Sequence, residues 1–135
     1  MRIAVVDDIA SERKLLCSSL TEQFARRGVH ADLFEYENGE SFLAGAKERP
    51  FTVVFLDIYM TGANGIETAK ELRSFDSDCL LVFTTTSTDH ALEGFRVRAM
   101  HYLVKPYEEK ELSGLTDEIL SRIPSSGKYL DVKVN

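Results

Sequence analysis

Residues able to do charged-oxygen chemistry occur at four places along the chain: the pair Asp7-Asp8, Asp57, the hydroxyl run that begins Thr84-Thr85, and Lys105. Each has an ordinary structural explanation when taken singly. An aspartate pair before a helix suits an N-terminal cap, a Thr run caps helices, and Lys-Pro makes turns. Taken together they suggest phosphoryl chemistry. Two carboxylates about 4 Å apart repel by roughly 4 kcal/mol at an effective dielectric near 20, so three at one point require compensating positive charge. A divalent cation and Lys105 would supply it, since −3 + 2 + 1 = 0. All-oxygen ligands without His or Cys favour Mg²⁺ over zinc and leave coordination positions for water and phosphate. A carboxylate beside such a cation can attack phosphorus in line, with ammonium and metal on the equatorial oxygens. Charge arithmetic leaves all three carboxylates open as the nucleophile.

Those groups meet only if the elements between them bring their ends together. Ile3 to Val6 is an apolar run without alternation, the mark of a strand covered on both faces, and it stops at Asp7-Asp8. Leu16, Leu20 and Phe24 then recur every fourth residue, with Ser11 and Glu12 as start signals and Gly28 as the stop. The alternation repeats. Strands are expected at Ala31 to Tyr36, Phe51 to Leu56, Leu80 to Phe83 and Tyr102 to Val104. Helices are expected from about Glu40 to Lys47, from Asn64 to Ser74, from the Thr84 to Thr88 run to about Arg98, and through Leu112, Leu115, Ile119 and Ile123. Five strands alternating with five helices imply an α/β, doubly wound (flavodoxin-like) five-stranded parallel sheet, because parallel neighbours need right-handed crossovers. In strand order 2-1-3-4-5 the first and third strands are adjacent. Asp7, Asp8 and Asp57 then converge at the switch crevice, where ligands bind in such sheets.

Composition narrows the class. The chain has 135 residues, with 16 Lys+Arg against 22 Asp+Glu for a net charge of −6, which is set against a nucleic-acid surface on this chain. One domain fits at this length. Cys17 and Cys79 lack metal-ligand spacing, no cationic apolar leader precedes Arg2, and no apolar run approaches the ~18 residues of a membrane span. A cytoplasmic location with reduced thiols is expected. After Pro124 the chain passes through Ser125-Ser126-Gly127, a flexible linker, into Lys128 to Asn135, where Leu130, Val132 and Val134 alternate with polar residues. This segment is either an edge strand or the first strand of a further domain.

Val5-Val6-Asp7-Asp8, Phe55-Leu56-Asp57-Ile58-Tyr59-Met60 with Gly65 downstream, Phe83-Thr84-Thr85 and Tyr102-Leu103-Val104-Lys105-Pro106 resemble the receiver domain of bacterial two-component response regulators over about residues 2 to 123. The resemblance implies that Asp57 accepts a phosphoryl group from a histidine kinase. It implies that Asp8, Asp57 and the backbone carbonyl of Tyr59 bind Mg²⁺, with Asp7 reaching the metal through water. Lys105 would pair with the phosphoryl group across a cis bond to Pro106, Thr85 would be the switch hydroxyl, and Tyr102 its aromatic partner. The output would be the surface of the fourth helix, fifth strand and fifth helix, with homodimerisation there on phosphorylation. Such a domain is not a conventional turnover enzyme, although it catalyses its own phosphorylation and dephosphorylation. Phe83-Thr84-Thr85, Ala91-Leu92-Glu93-Gly94-Phe95 and Tyr102 to Tyr107 are similar to receivers that precede a LytTR-type DNA-binding domain. The chain would then be a receiver, 1–123, followed by a linker and possible first strand, 124–135, of an absent C-terminal domain in a transcription regulator, and any DNA contact would be made there.

Some positions depart from the family's usual wording. Thr61 stands where a proline is common, Thr86 where a small residue is frequent, and His101 where an acid is frequent. Tyr59 and Ser87 flank the path of the hydrolytic water in the family, so a bulky Tyr59 is expected to slow phosphate loss. His30, His90 and His101 are expected on the surface. Three other readings compete. A Mg²⁺-dependent phosphatase with an aspartyl-phosphate intermediate would place a D-x-D on the first strand. A flavin carrier would have a Gly/Ser/Thr-rich first loop, and a docking module would never be phosphorylated.

Overall fold

The computed structural model describes residues 1–60, 62 and 64–123. The linker and alternating segment of 124–135, and Thr61, lie outside the described residues. Ten elements alternate along the chain: β1 (Arg2–Val6), α1 (Ala10–Arg26), β2 (Asp32–Tyr36), α2 (Gly39–Glu48), β3 (Val53–Asp57), α3 (Gly65–Phe75), β4 (Leu80–Thr85), α4 (Ala91–Arg96), β5 (His101–Val104) and α5 (Glu109–Arg122). All strand pairs are parallel, in the order β2-β1-β3-β4-β5. This is the expected doubly wound topology.

The most apolar run is the central strand, and all five residues of β3 are buried. Alternate residues of the sheet pack into two cores. Ile3, Val5, Val53, Phe55, Val82 and Leu103 meet Leu16, Leu20 and Phe24 of α1 and Leu112, Leu115 and Ile119 of α5. Ala4, Val6, Val54, Leu56, Leu81 and Phe83 meet Phe42 of α2 and Ile66, Ala69 and Leu72 of α3. Registers pair Val6 with Leu56, Asp57 with Thr84 and Thr85 with Val104, so the carboxyl ends of β1, β3, β4 and β5 form one rim.

Local chemistry sets the element ends. Asn38 and Asn64 cap α2 and α3, their side chains accepting the N–H groups of Ser41 and Glu67. Gly28, at φ +74°, closes α1 in the left-handed conformation that glycine adopts freely. Two helix starts differ from expectation. No Ser or Thr caps α1; instead the Asp7 carboxylate accepts the N–H of Ile9 at 2.9 Å, which satisfies the loop just ahead of the helix. The Thr84 to Thr88 run does not cap α4 either. Thr84 and Thr85 remain in β4, because each is paired across the sheet and buried, and α4 starts only after His90 and ends at Arg96. With six residues and Gly94 as its buried member, α4 is too short to be stable without tertiary support.

Candidate functional site

The β1–α1 and β3–α3 loops bring three carboxylates together. One oxygen each from Asp7, Asp8 and Asp57 lie within 4.8 Å of one another. Asp7 and Asp57 are both only 4% exposed, and Asp8 is half-buried. Asp7 is fixed at its backbone, its N–H donating to the Tyr36 carbonyl at 3.0 Å and its carbonyl accepting the Arg13 guanidinium at 2.8 Å. Asp57, the last residue of β3, accepts the N–H of Tyr59 on Oδ1 at 3.2 Å. Gly65 makes this loop possible. A Cβ there would strike the Asp57 carbonyl oxygen and the Ile58 Cα, so α3 could not start so close beneath the strand end.

Lys105 enters from the end of β5, its N–H donating to the Thr85 carbonyl at 2.7 Å, and its bond to Pro106 is cis. Its Nζ donates to Asp7 at 3.1 Å and to Asp57 at 3.5 Å. It also donates to Glu12 of α1, at 2.5 Å. In the sequence Glu12 carries only the signal of a helix start. With it the local sum becomes four carboxylates against one lysine, −4 + 1 = −3, so the cup is one charge more acidic than the balance drawn from Asp7, Asp8, Asp57 and Lys105. The first turn of a helix is the position from which an acid reaches the neighbouring strand ends, but its pairing with Lys105 requires knowing that α1 and α5 share one face of the sheet, which brings the β5–α5 connection beside α1.

Electrostatics mark Asp57. Burial pushes its carboxyl up to about 6; Lys105 pulls it down, Asp7 pushes it up and the Tyr59 N–H favours the charged form. Burial would lower the Lys105 ammonium, but the bond to Glu12 and the charges of Asp57 and Asp7 outweigh it and hold it above the ordinary lysine range. The donor set is all oxygen, with neither His nor Cys, and is strongly anionic. It fits a hard divalent cation such as Mg²⁺.

Thr85 and Tyr102 lie on the other side of the sheet's alternation, with Phe83. Thr85 is fully buried and its Oγ1 accepts the Ser87 N–H at 3.3 Å. The Tyr102 ring packs beside Phe83, centroids 5.8 Å apart. Its hydroxyl oxygen is buried and makes no hydrogen bond of ordinary geometry among the described residues. Burial, with the charges of Tyr59, Glu93 and Asp89, pushes this phenol up to about 12. Tyr59, 44% exposed, sets its ring edge against His90, centroids 5.6 Å apart. The histidines divide. His30 is at the surface, but the side chains of His90 and His101 are only 32% and 33% exposed, because both belong to segments packed on Tyr59 and on α5 respectively. The His101 Nε2 is buried 3.5 Å from the Glu111 carboxylate. Cys17 and Cys79 are buried with thiols pushed up to about 11 by desolvation, so neither is a reactive thiolate. No helix among the described residues is long and apolar enough to cross a membrane.

Comparison with known proteins agrees with this geometry. The family model of the response regulator receiver domain matches residues 3–117. The sensory transduction protein LytT of Oceanobacillus iheyensis is 41% identical over 76 residues, 55% of this chain and 31% of that protein. LytT of Bacillus subtilis is 30% identical over 112 residues, 83% of this chain and 45% of that protein. The chain therefore spans about a third to a half of the length of these relatives. The crystal structure of the response regulator TrrA from Thermotoga maritima, in complex with Mg²⁺-BeF, superposes with a TM-score of 0.69 at 31% identity, covering 87% of this chain and 97% of that one. With a matching family model over most of its length and the family's acidic rim, the chain belongs to the response regulator receiver domain family.

Proposed function

We propose that the chain is a phosphorylation-driven switch in which Asp57 accepts a phosphoryl group from a histidine kinase. The observation that carries this is the placement of Asp57: at a buried strand end, beside two further aspartates and within reach of the Lys105 ammonium. In the transfer, an Asp57 oxygen forms the new bond to phosphorus while the bond from phosphorus to the donor's imidazole nitrogen breaks, and the imidazole leaves with the electron pair. Lys105 offsets charge on the transferred oxygens. Asp8, Asp57 and the Tyr59 carbonyl would hold Mg²⁺, with Asp7 acting through water. When bound, the cation supplies charge neutralisation for the incoming phosphate.

Phosphorylation adds about −1.5 to −2 of charge and new acceptor oxygens. The Thr85 hydroxyl, whose oxygen accepts the Ser87 N–H at rest, then turns toward those oxygens. The space it leaves is open to Tyr102, whose hydroxyl is buried at rest beside the His90 backbone. The surface of α4, β5 and α5 shifts in population accordingly. On that surface Leu92 and Phe95 are 61% and 78% exposed, which suits association of two phosphorylated copies. Regulation of transcription, through a LytTR-type domain following 124–135, is the output suggested by the LytT relatives, and DNA would be bound there and not by the receiver. A cytoplasmic location accords with this role.

Intact-mass measurement after acetyl phosphate treatment tests the reading. The expected result is the gain of one phosphoryl group that requires Mg²⁺ and disappears in Asp57→Asn. A gain that persists in Asp57→Asn overturns the assignment.

A further inference from the structure

The Lys105 ammonium is shared unequally. Its contact with Glu12 is the shortest of three, 2.5 Å, against 3.1 Å to Asp7 and 3.5 Å to Asp57. The three acceptors also differ in their access to water. The Asp7 and Asp57 side chains are 6% and 5% exposed, whereas Glu12 is 45% exposed. Glu12 is held where it can reach the lysine, because its neighbour Arg13 anchors the first turn of α1. The Arg13 guanidinium donates to the Asp7 carbonyl at 2.8 Å and to the Glu35 carboxylate at 2.9 Å. The ammonium has three protons, and all three are committed among these carboxylates at rest. A phosphoryl group arriving on Asp57 must take one of them.

Resting on the reading of Asp57 as acceptor, we propose that Glu12 is a positioning residue: a releasable counter-ion that holds Lys105 back from Asp57 at rest and surrenders it to the phosphoryl oxygens. Of the three acceptors, Glu12 is the one that water can solvate once the bond is given up, so its release costs least. Asp7 and Asp57 have no such recourse. The retained Glu12 contact therefore opposes the activated state by the free energy of a partly exposed charge-assisted bond, and its removal favours that state.

The test uses the whole chain and beryllofluoride, formed from beryllium and fluoride with Mg²⁺ as a stand-in for the phosphoryl group, in binding titrations followed by NMR. Glu12→Gln is expected to bind beryllofluoride about 3–10-fold more tightly than wild type, while binding Mg²⁺ alone more weakly because a negative charge has been lost. A damaged fold would weaken both. Glu12→Asp keeps the charge but is one methylene too short to reach; it should bind beryllofluoride more tightly and Mg²⁺ as wild type does. Glu109→Gln removes a charge from the same groove, which is also lined by Glu12, Lys105 and Thr84, without touching Lys105, and should leave beryllofluoride binding unchanged. Unchanged or weaker binding by Glu12→Gln overturns the proposal, as does an equal gain in Glu109→Gln, which would reduce the effect to the general field. If wild type itself does not bind, or Asp57→Asn binds equally well, the acceptor assignment has failed and the proposal falls with it.

Discussion

Asp57 carries an unfavourable charge in the metal-free fold. Its carboxyl is raised from 3.8 to about 6, burial being the largest cause, so between about pH 4 and 6 the native state keeps a proton that the unfolded chain has lost. Stability from this group is therefore greatest at low pH and falls as pH rises through that window. Asp57→Asn should raise metal-free stability at pH 7 by about 1–3 kcal/mol and change it little at pH 4, as read by denaturant melts at the two pH values. Saturating Mg²⁺ should narrow the gap by binding the wild-type cup. Tyr59, half-exposed and resting on His90, follows Asp57 by two residues and donates its backbone N–H to that carboxylate. Tyr59→Ala should shorten the aspartyl-phosphate lifetime by about threefold or more, roughly 0.7 kcal/mol in barrier, measured by decay of the phosphorylated mass; an unchanged lifetime contradicts a shielding role. The aspartates and Lys105 were legible because strand ends and topology alone place them together. The pairing of Glu12 with Lys105 was not. Glu12 reaches the site from the first turn of α1, and sequence does not show which helix flank meets which loop.

At the scale of elements, the β3–α3 connection is the most constrained. Gly65 sits where a Cβ would meet the backbone of Asp57 and Ile58, and backbone does not yield as a flexible side chain does. Gly65→Ala should cost about 1–3 kcal/mol of stability and weaken Mg²⁺ binding by moving the Asp57 and Tyr59 backbone, checked by melts and by metal titration. The opposite extreme is α4. Its short span, absent side-chain cap and outward Leu92 and Phe95 make it the element most easily rearranged. Phe95→Ser should change stability by less than about 0.5 kcal/mol and yet reduce phosphorylation-dependent association in sedimentation. The strands were legible because buried parallel strands are uniformly apolar. The start of α4 was not, because a Thr run that suits a cap also suits a buried strand end, and pairing with β3 and β5 decided for the strand.

Over the whole molecule, the sheet divides the proposed site residues between its two faces. Asp7, Asp57, Thr84 and Lys105 continue the alternation of the α1/α5 core, whereas Thr85 and Tyr102 continue that of the core shared with α2 and α3. One strand, β4, bears Thr84 and Thr85 side by side and so presents a hydroxyl to each face; in the proposed switch it is the strand that couples them. The parallel, doubly wound class was legible from the alternation of elements and the handedness of crossovers, whereas those rules admit more than one strand order. The role of residues 124–135 was not, since an alternating run suits either an edge strand or the opening of another domain. Reductive trapping reads directly whether phosphorus becomes bonded to Asp57. Acetyl phosphate and Mg²⁺ treatment followed by borohydride converts an acyl phosphate to the alcohol, and peptide mass spectrometry locates it. Homoserine is expected at position 57, dependent on Mg²⁺; homoserine at position 7 or 8, or none at all, contradicts the assignment of Asp57.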